Sequence, residues 1–550
     1  MPITALLERN ARIRPDAIAL VEVNPAQKPD ENLSWREYTL IQSTSSRRYR
    51  KEITWREFDI KANRFANLLL TRGIGRGDKV ALLLMNCLDW LPLYFGILKA
   101  GAVAVPMNFR FSAEEISYCA DLADVKVLVF GPEFVERVTA AKPSMAGVKT
   151  FFFCGEDGTA DGMPPYAEDC LRLKRYCSST VPPVEIRDED DAAIYFSSGT
   201  TGFPKAILHR HDALMSAAEV EQKHHGQTED DVFLCIPPLY HTGAKMHWFG
   251  SLLSGSRAVI LRGVRPEWIL ETVSEERATI VWLLVPWAQD ILDSIESGRI
   301  DPQNYRLDQW RLMHIGAQPV PPSLIRRWLA VFPHHQYDTN YGLSESIGPG
   351  AVHLGVENIA KVGAIGVPGY GWKVKILADD GREAGTDEVG ELCLSGRGVM
   401  KCYYKNPEAT AEVLSSDGWL RTGDMARRDE DGFIYLVDRK KDVIIVGGEN
   451  IYPVQIEDFL RTCDKVADVG VIGLPDDRLG EITCAVIQVK EGAVLTEQEV
   501  NDFCMTLPRY KRPRRIIFDR VPRNATGKIQ KNALREKYGA VRVVEVETTK

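Results

Sequence analysis

From about Trp55 to His211 the chain switches repeatedly between helical and strand signals, and this alternation restricts the possible folds more than any other feature. Trp90 to Ala100 is apolar at helical spacing, and Gly101 is placed to take the left-handed conformation that stops a helix. The run Ala102-Val-Ala-Val-Pro106 then reads as a buried strand, as do Lys126 to Phe130 and Ala192 to Phe196. Ala278 to Val285 and Arg311 to Ile315 continue the pattern. Helices and strands in alternation predict doubly wound α/β sheets. At 550 residues the chain also exceeds a single core and predicts two or more domains.

The pattern changes after about Gly366. Short strands with Gly and Asp turns follow at Lys373-Val-Lys-Ile-Leu, Gly390-Glu-Leu-Cys-Leu and Gly432-Phe-Ile-Tyr-Leu, which predict a small antiparallel subdomain. The charged stretch Asp438 to Asp442 marks a boundary, and beyond it about a hundred residues suffice for a separate α+β core. That tail carries strand signals at Val466 to Ile472 and Ile482 to Val489, and a helix opened by a Thr496-x-x-Glu499 capping box. Within residues 22–52, Leu33-Ser-Trp-Arg-Glu-Tyr38 echoes Ile53-Thr-Trp-Arg-Glu-Phe58; this reads as a surface insertion, a partial duplication or a chance likeness, and no role is assigned to it.

Composition excludes several classes. The net charge of −8 argues against a nucleic-acid partner, which needs a basic face. The eleven cysteines are scattered, with no CxxC pair and no metal spacing, and read as reduced thiols of a cytoplasmic protein. The start lacks a basic region followed by an apolar one. The most apolar stretch, Val80 to Met107, is interrupted by Asp89 and Lys99, whereas a membrane span needs roughly 20 apolar residues.

The chemistry concentrates in Tyr195-Phe-Ser-Ser-Gly-Thr-Thr-Gly-Phe-Pro-Lys205, directly after a strand. Ser197 to Gly202 places four hydroxyls and two glycines in six residues. Gly199 and Gly202 permit a tight backbone whose N–H groups converge on an anion. Ser197, Ser198, Thr200 and Thr201 add donors, and Lys205 adds a charge. Taken alone, such composition more often marks a flexible turn. The spacing differs from that of P-loop nucleotide-hydrolysing enzymes.

This loop resembles the signature loop of the adenylate-forming superfamily, which comprises acyl-CoA synthetases, peptide-synthetase adenylation domains and beetle luciferases. Further motifs in the right order support the likeness over nearly the whole chain. Asn340-Tyr-Gly-Leu-Ser-Glu345 is similar to the second nucleotide motif. The resemblance implies that Asn340, Tyr341 and Gly342 lie along the nucleotide, with Tyr341 stacked on adenine. It further implies that Ser344, where relatives usually carry Thr, meets the α-phosphate, and that Glu345 with Thr200 holds Mg²⁺. Gly316, Ala317, Gln318 and Pro319 resemble the stretch along the adenine, and Gly316 also one wall of the acyl pocket. Asp424, in Trp419-Leu-Arg-Thr-Gly-Asp424, matches the ribose-binding carboxylate, and Arg439 the arginine that contacts ribose or phosphate. Each has a plainer reading: a solvated loop acid for Glu345, a turn residue beside Gly423 for Asp424. Lys528, in Asn524-Ala-Thr-Gly-Lys528, matches the lysine that meets carboxylate and α-phosphate in the first half-reaction; by itself it reads as a solvated lysine with a pKa near ~10.4.

The implied fold is a large N-terminal α/β domain of two doubly wound αβα sheets with a small β-barrel-like subdomain, residues 1–438, followed by a small mobile α+β domain, residues 439–550. Lys441 matches the hinge, and Gly447, Gly448 and Glu449 match the lining of a coenzyme A tunnel. Pro237-Pro-Leu-Tyr-His241-Thr-Gly-Ala-Lys-Met resembles the acyl-pocket segment of aryl, alicyclic and medium-chain CoA ligases of the benzoate–CoA ligase type. Tyr240, His241, Gly243, Ala244 and Lys245 then border the acid, with His241 beside the activated carboxylate; a buried histidine satisfied by the core is the alternative for His241, and Lys245 points either into the pocket or away from it. Trp248, Trp282 and Trp287 read equally as pocket walls or core aromatics. The implied protein is an AMP-forming carboxylate–CoA ligase using ATP, Mg²⁺ and coenzyme A on a cyclic or medium-chain monocarboxylate, as a monomer or homodimer. A free-standing adenylation enzyme that loads a carrier protein, a luciferase-like oxygenase and a non-catalytic nucleotide-binding protein are the competing readings.

Overall fold

The computed structural model describes residues 1–28, 49–155, 159–197, 204–316, 320–446, 449–476, 479–523 and 529–539. Leu33 to Tyr38, with most of the 22–52 segment, lies outside the described residues. The chain forms two compact units: Met1–Val374 with Leu394–Leu420, and Lys375–Cys393 with Arg421–Lys550.

The first unit is built on two sheets whose strands are apolar on both faces. In the eight-stranded sheet, Lys79–Leu83 lies between Val103–Pro106 and Val125–Phe130, all parallel. Val80, Leu82, Val127 and Val129 point into one core, while Ala81, Leu83, Leu128 and Phe130 point into another. The period-2 alternation of side chains therefore feeds two helical layers from one strand, which is why these strands read as unbroken apolar runs. The nine-stranded sheet repeats the device. Phe233, Cys235, Ala258 and Ile260 face the first core, and Val232, Leu234, Val259 and Leu261 face a third. Its six middle strands are parallel, and Arg50–Thr54, Ala351–Leu354 and Val367–Pro368 pair antiparallel at its edges.

The helices shared by the two sheets are the most apolar. All ten residues of Trp90–Lys99 are buried, and Gly101 follows at φ 74°, as its place in the sequence predicts. Thr54 and Glu57 close a capping box at the start of Trp55–Thr71, and Ser112 and Glu115 another at Ala113–Leu122. Gly226 and Gly255 end His211–His225 and Thr242–Ser254 in the left-handed conformation.

The strands Lys373–Leu377, Gly390–Ser395, Leu420–Arg428 and Ile434–Arg439 form a four-stranded sheet, most of whose residues belong to the second unit. A five-stranded sheet has Gly480–Val489 hydrogen-bonded to Val466–Asp476 and Arg515–Phe518. Val469, Val471 and Ile487 enter one core with the helix Pro453–Arg461, and Ile472, Leu474 and Val486 enter another with Leu534. The Thr496–Glu499 capping box opens Glu497–Phe503. All eleven cysteines are free, and no helix among the described residues is long and apolar enough to cross a membrane.

Candidate active site

The Gly/Ser/Thr segment is the connection of a β-hairpin. Asp191–Ser197 pairs antiparallel with Lys205–Arg210, and Ser197 lies opposite Lys205. Ser198, Gly199, Thr200, Thr201 and Gly202 lie outside the described residues. Lys205 Nζ sits 4.6 Å above the Tyr403 ring, and the Tyr403 hydroxyl donates to Glu345 Oε1 at 2.8 Å. Burial, then the Glu345 charge, pushes the Tyr403 phenol well above its ordinary range, so it stays a donor. Met400 N–H donates to the Glu345 carbonyl at 2.7 Å. Lys205 and Glu345, 140 positions apart in the sequence (345 − 205), are thus joined through one aromatic ring. Glu345 is half-buried and offers hard carboxylate oxygens, a donor that suits Mg²⁺.

The loop before Glu345 is held from both ends. Asn340 Nδ2 donates to Glu221 Oε1 at 3.2 Å, and the Tyr341 carbonyl accepts from Gly350 N–H at 2.9 Å. Ser346 Oγ accepts from Leu343 N–H at 2.9 Å and is itself 2.9 Å from the Gly348 carbonyl. Gly342 is required sterically, because a Cβ there would sit 2.7 Å from the Gly348 carbonyl oxygen. His209 Nε2 lies 2.8 Å from the Ser344 carbonyl. Burial lowers the His209 pKa to about 4, so at neutral pH the uncharged ring donates from Nε2. The hairpin strand Lys205–Arg210 therefore holds Ser344 in place.

The expected acyl segment caps a helix. His241 is the N-cap of Thr242–Ser254, and its Nδ1 accepts from Gly243 N–H at 3.1 Å. Asn86 clamps the approach, accepting from Leu239 N–H at 2.8 Å and donating to the Pro237 carbonyl at 3.0 Å. The Tyr240 ring meets Phe109 edge-on at 5.4 Å, and burial pushes its phenol up to about 12. Gly243 and Ala244 are buried. Lys245 is buried too, and its Nζ turns onto the carbonyls of Leu239 (2.7 Å) and Tyr240 (3.1 Å), 4.5 Å from the Tyr195 ring centre. Burial drives its pKa well down. Trp248 packs with Phe58 and Phe95 in the core, and Trp287 packs against the outer core. Trp282 differs: a Cβ on Gly243 would meet its ring at 2.8 Å, and a Cβ on Gly316 would lie 4.0 Å from its Nε1. Ala317, Gln318 and Pro319 lie outside the described residues.

In the second unit Asp424 is buried, its N–H donating to Thr422 Oγ1 at 3.1 Å. Its cross-strand partner is Arg439, which puts the two expected ribose residues opposite each other in one ladder. Lys441 lies in the 3₁₀ turn Lys440–Asp442. Glu449 pairs with Val446 across a hairpin whose tip, Gly447 and Gly448, is outside the described residues. Lys528 is outside them as well; the bridge between Arg523 and Ile529 brackets its loop.

Sequence reasoning missed Tyr403, whose setting in Lys401-Cys-Tyr-Tyr404 carries no chemical signal of its own. It also missed a buried cluster of Glu221, His225, His247, His314 and Asp338. Glu221 Oε2 lies 2.7 Å from His247 Nδ1, and Asp338 reaches His314 Nδ1 at 2.5 Å and His225 Nε2 at 2.9 Å. Burial would raise Glu221, but His247 and His225 outweigh it and hold it at about 2. Burial would lower His225, but Asp338 and Glu221 outweigh it and raise it to about 8.

The sequence model of the family described as "AMP-binding enzyme" matches residues 7–404, and that of the "AMP-binding enzyme C-terminal domain" matches residues 455–528. The chain is 33% identical over 495 residues to the long-chain-fatty-acid–CoA ligase FadD13 of Mycobacterium tuberculosis, covering 89% of this chain and 93% of that protein. It is 33% identical over 491 residues to the feruloyl-CoA synthase of Amycolatopsis sp, covering 88% and 94%. The crystal structure of ATP-bound MatB from Rhodopseudomonas palustris superposes with a TM-score of 0.83 at 26% identity, covering 98% of this chain and 99% of that one.

Proposed function

The chain belongs to the AMP-binding enzyme family, and from that premise we propose that it is an AMP-forming acid–thiol ligase that converts a carboxylic acid to its coenzyme A thioester. In the first half-reaction a carboxylate oxygen attacks the α-phosphorus of ATP. The bond to the β-phosphate oxygen breaks, and pyrophosphate leaves with its electron pair. In the second, the coenzyme A sulfur attacks the acyl carbon, its proton passes to solvent, and AMP leaves from the acyl carbon. The acid supplies the first nucleophile and coenzyme A the second, so positioning and charge are the protein's contribution.

The observation that carries this reading is the Lys205–Tyr403–Glu345 arrangement at the end of the hairpin next to its connecting segment. Glu345 would hold Mg²⁺, with Thr200 beside it; the ion neutralises charge on the departing pyrophosphate when bound. Ser197, Ser198, Thr200, Thr201 and the backbone of Gly199 and Gly202 hold the phosphates in this proposal. Tyr341 packs on adenine, and Asp424 and Arg439 take the ribose. Lys528 meets the carboxylate and α-phosphate in the first half-reaction. Lys441 serves as the hinge that exchanges the adenylation and thioester-forming arrangements, and Gly447 to Glu449 line the path of the pantetheine. The acid is a cyclic or medium-chain monocarboxylate, a reading supported by the aromatic rings of Tyr240, Phe109 and Trp282 around His241 and Gly243.

The test is acid-dependent pyrophosphate exchange and AMP release across a panel of aromatic, alicyclic and straight-chain acids, with and without coenzyme A. Exchange without coenzyme A, and thioester plus AMP only with both, is the expected result. No acid-dependent exchange with any member would overturn the assignment. Thioester formation without a carrier protein separates this reading from that of a carrier-loading enzyme.

A further inference from the structure

Trp282 and His314 are register partners on adjacent parallel strands, and His314 pairs in turn with Asp338. Among the described residues, three polar atoms in this place are buried without a hydrogen-bond partner: Trp282 Nε1, His314 Nε2 and His247 Nε2. Their residues are 3%, 0% and 1% exposed. The His247 ring stands 4.5 Å from that of Trp282 and 4.1 Å from that of His314. An unmet buried polar group is destabilising, so three together call for an occupant.

Gly316 shows where that occupant goes. A Cβ built there has His314 Nε2 at 3.7 Å, Thr339 Oγ1 at 3.8 Å and Trp282 Nε1 at 4.0 Å, with nothing nearer. The missing side chain leaves a space walled by polar atoms. Gly243 presses on the other side of the same indole, 2.8 Å from it by the same construction. Gly243 and Gly316 are the two glycines read from the sequence as borders of the acid.

The hydrogen-bond sense of each atom follows from its partner on the far side. His247 turns Nδ1 to Glu221, and His314 turns Nδ1 to Asp338, so each carboxylate takes the Nδ1 hydrogen. With the Nδ1 hydrogen so engaged, a neutral imidazole offers Nε2 as its acceptor. Burial holds His247 uncharged at neutral pH, its pKa lowered to about 4. The indole N–H of Trp282 can only donate. A keto oxygen could answer the donor alone and an ammonium the acceptors alone; a hydroxyl answers both.

We propose that this enzyme selects carboxylic acids bearing a hydroxyl group on the acyl portion, received between Trp282 Nε1–H and His314 Nε2 at Gly316, beside the His247 ring. The proposal rests on the ligase reading above and deepens it. A divalent cation is the competing occupant, because ring nitrogens of His225, His247 and His314 lie within 4.8 Å of one another. The Trp282 N–H is no ligand and turns the positive end of its dipole to the same space, which favours the hydroxyl.

The experiment compares matched pairs: hexanoate against its 3- to 6-hydroxy derivatives, and benzoate against its 3- and 4-hydroxy derivatives. Both kcat/KM for thioester formation and calorimetric Kd are read. At least one hydroxy acid should exceed its parent by about tenfold or more in either quantity. Trp282→Phe keeps the ring and removes the donor, and should shrink that ratio at least about fivefold. If the variant melts early, the ratio in the unaltered enzyme still decides. Parent acids equal to or better than every hydroxy partner would overturn the proposal. So would a stoichiometric metal in the purified protein, measured by mass spectrometry and lost in His247→Ala. A hydroxyl preference in Kd with no turnover of any acid would sustain this inference while sinking the ligase reading.

Discussion

Replacing Tyr403 by Phe isolates one hydrogen bond at the centre of the proposed nucleotide site. The ring is buried and lies 4.6 Å below Lys205 Nζ, and Phe keeps both the packing and the cation–π contact. What is lost is the 2.8 Å bond from the hydroxyl to Glu345 Oε1. A hydrogen bond to a charged acceptor contributes ~1.5–3 kcal/mol, and water can partly replace it because Glu345 is half-buried. The low end applies, about 1.5 kcal/mol, or about a tenfold change in a rate or binding constant. Glu345 is the proposed Mg²⁺ carboxylate, so the loss should fall on adenylate formation. In acid-dependent pyrophosphate exchange, kcat/KM for MgATP should drop about tenfold and the Mg²⁺ requirement should rise. Thioester formation from supplied acyl-adenylate should change less than about twofold, because pyrophosphate has already left. Wild-type exchange, or equal loss of both half-reactions, would refute the reasoning.

Gly342→Ala forces a Cβ to within 2.7 Å of the Gly348 carbonyl, so the loop carrying Tyr341 and Ser344 must shift; KM for ATP should rise several-fold with a stability cost of ~1–3 kcal/mol, and unchanged KM and Tm would refute the steric account. Lys528→Ala should abolish adenylate formation yet spare thioester formation from supplied adenylate, and Lys441→Pro should do the reverse; half-reaction assays on both variants decide the role split. Acid should destabilise the fold early. His209, His211 and His247 are each lowered by burial to about 4 from the ordinary imidazole value of about 6.5, so from pH 6.5 down to 4 the unfolded chain takes up protons that the folded one refuses. Their contribution is present above pH 6.5 and is lost on acidification by roughly 4 kcal/mol per pH unit for the three together. His225 runs the other way: raised to about 8, it stabilises below pH 6.5 and loses that contribution as pH climbs through 8. Urea melts from pH 8.5 to 4.5 check both slopes, and a flat profile between pH 6.5 and 5 would contradict them.

Much of the fold was legible in contiguous residues. A strand fed by helices on both faces is a short apolar run, and Lys126 to Phe130 announces one within a residue of its true start at Val125. A helix stop needs one glycine, and Gly101 supplies it. A capping box needs two residues three apart, and Thr496 with Glu499 forms one. The box at Thr54 and Glu57 is equally local, two residues three apart at the start of Trp55–Thr71.

The chain by itself therefore determined its α/β class and its family, and supplied the residue types proposed to answer phosphate and a divalent cation, since those depend on local periodicity and on motifs a few residues long. Only the tertiary structure decided that Tyr403 ties Lys205 to Glu345, that Lys245 turns its amine onto backbone carbonyls, and that Trp282 and His314 leave an unmet donor and an unmet acceptor around Gly316. Those facts depend on strand register and helix packing between residues tens to hundreds of positions apart, and no local pattern records which side chains such packing brings face to face.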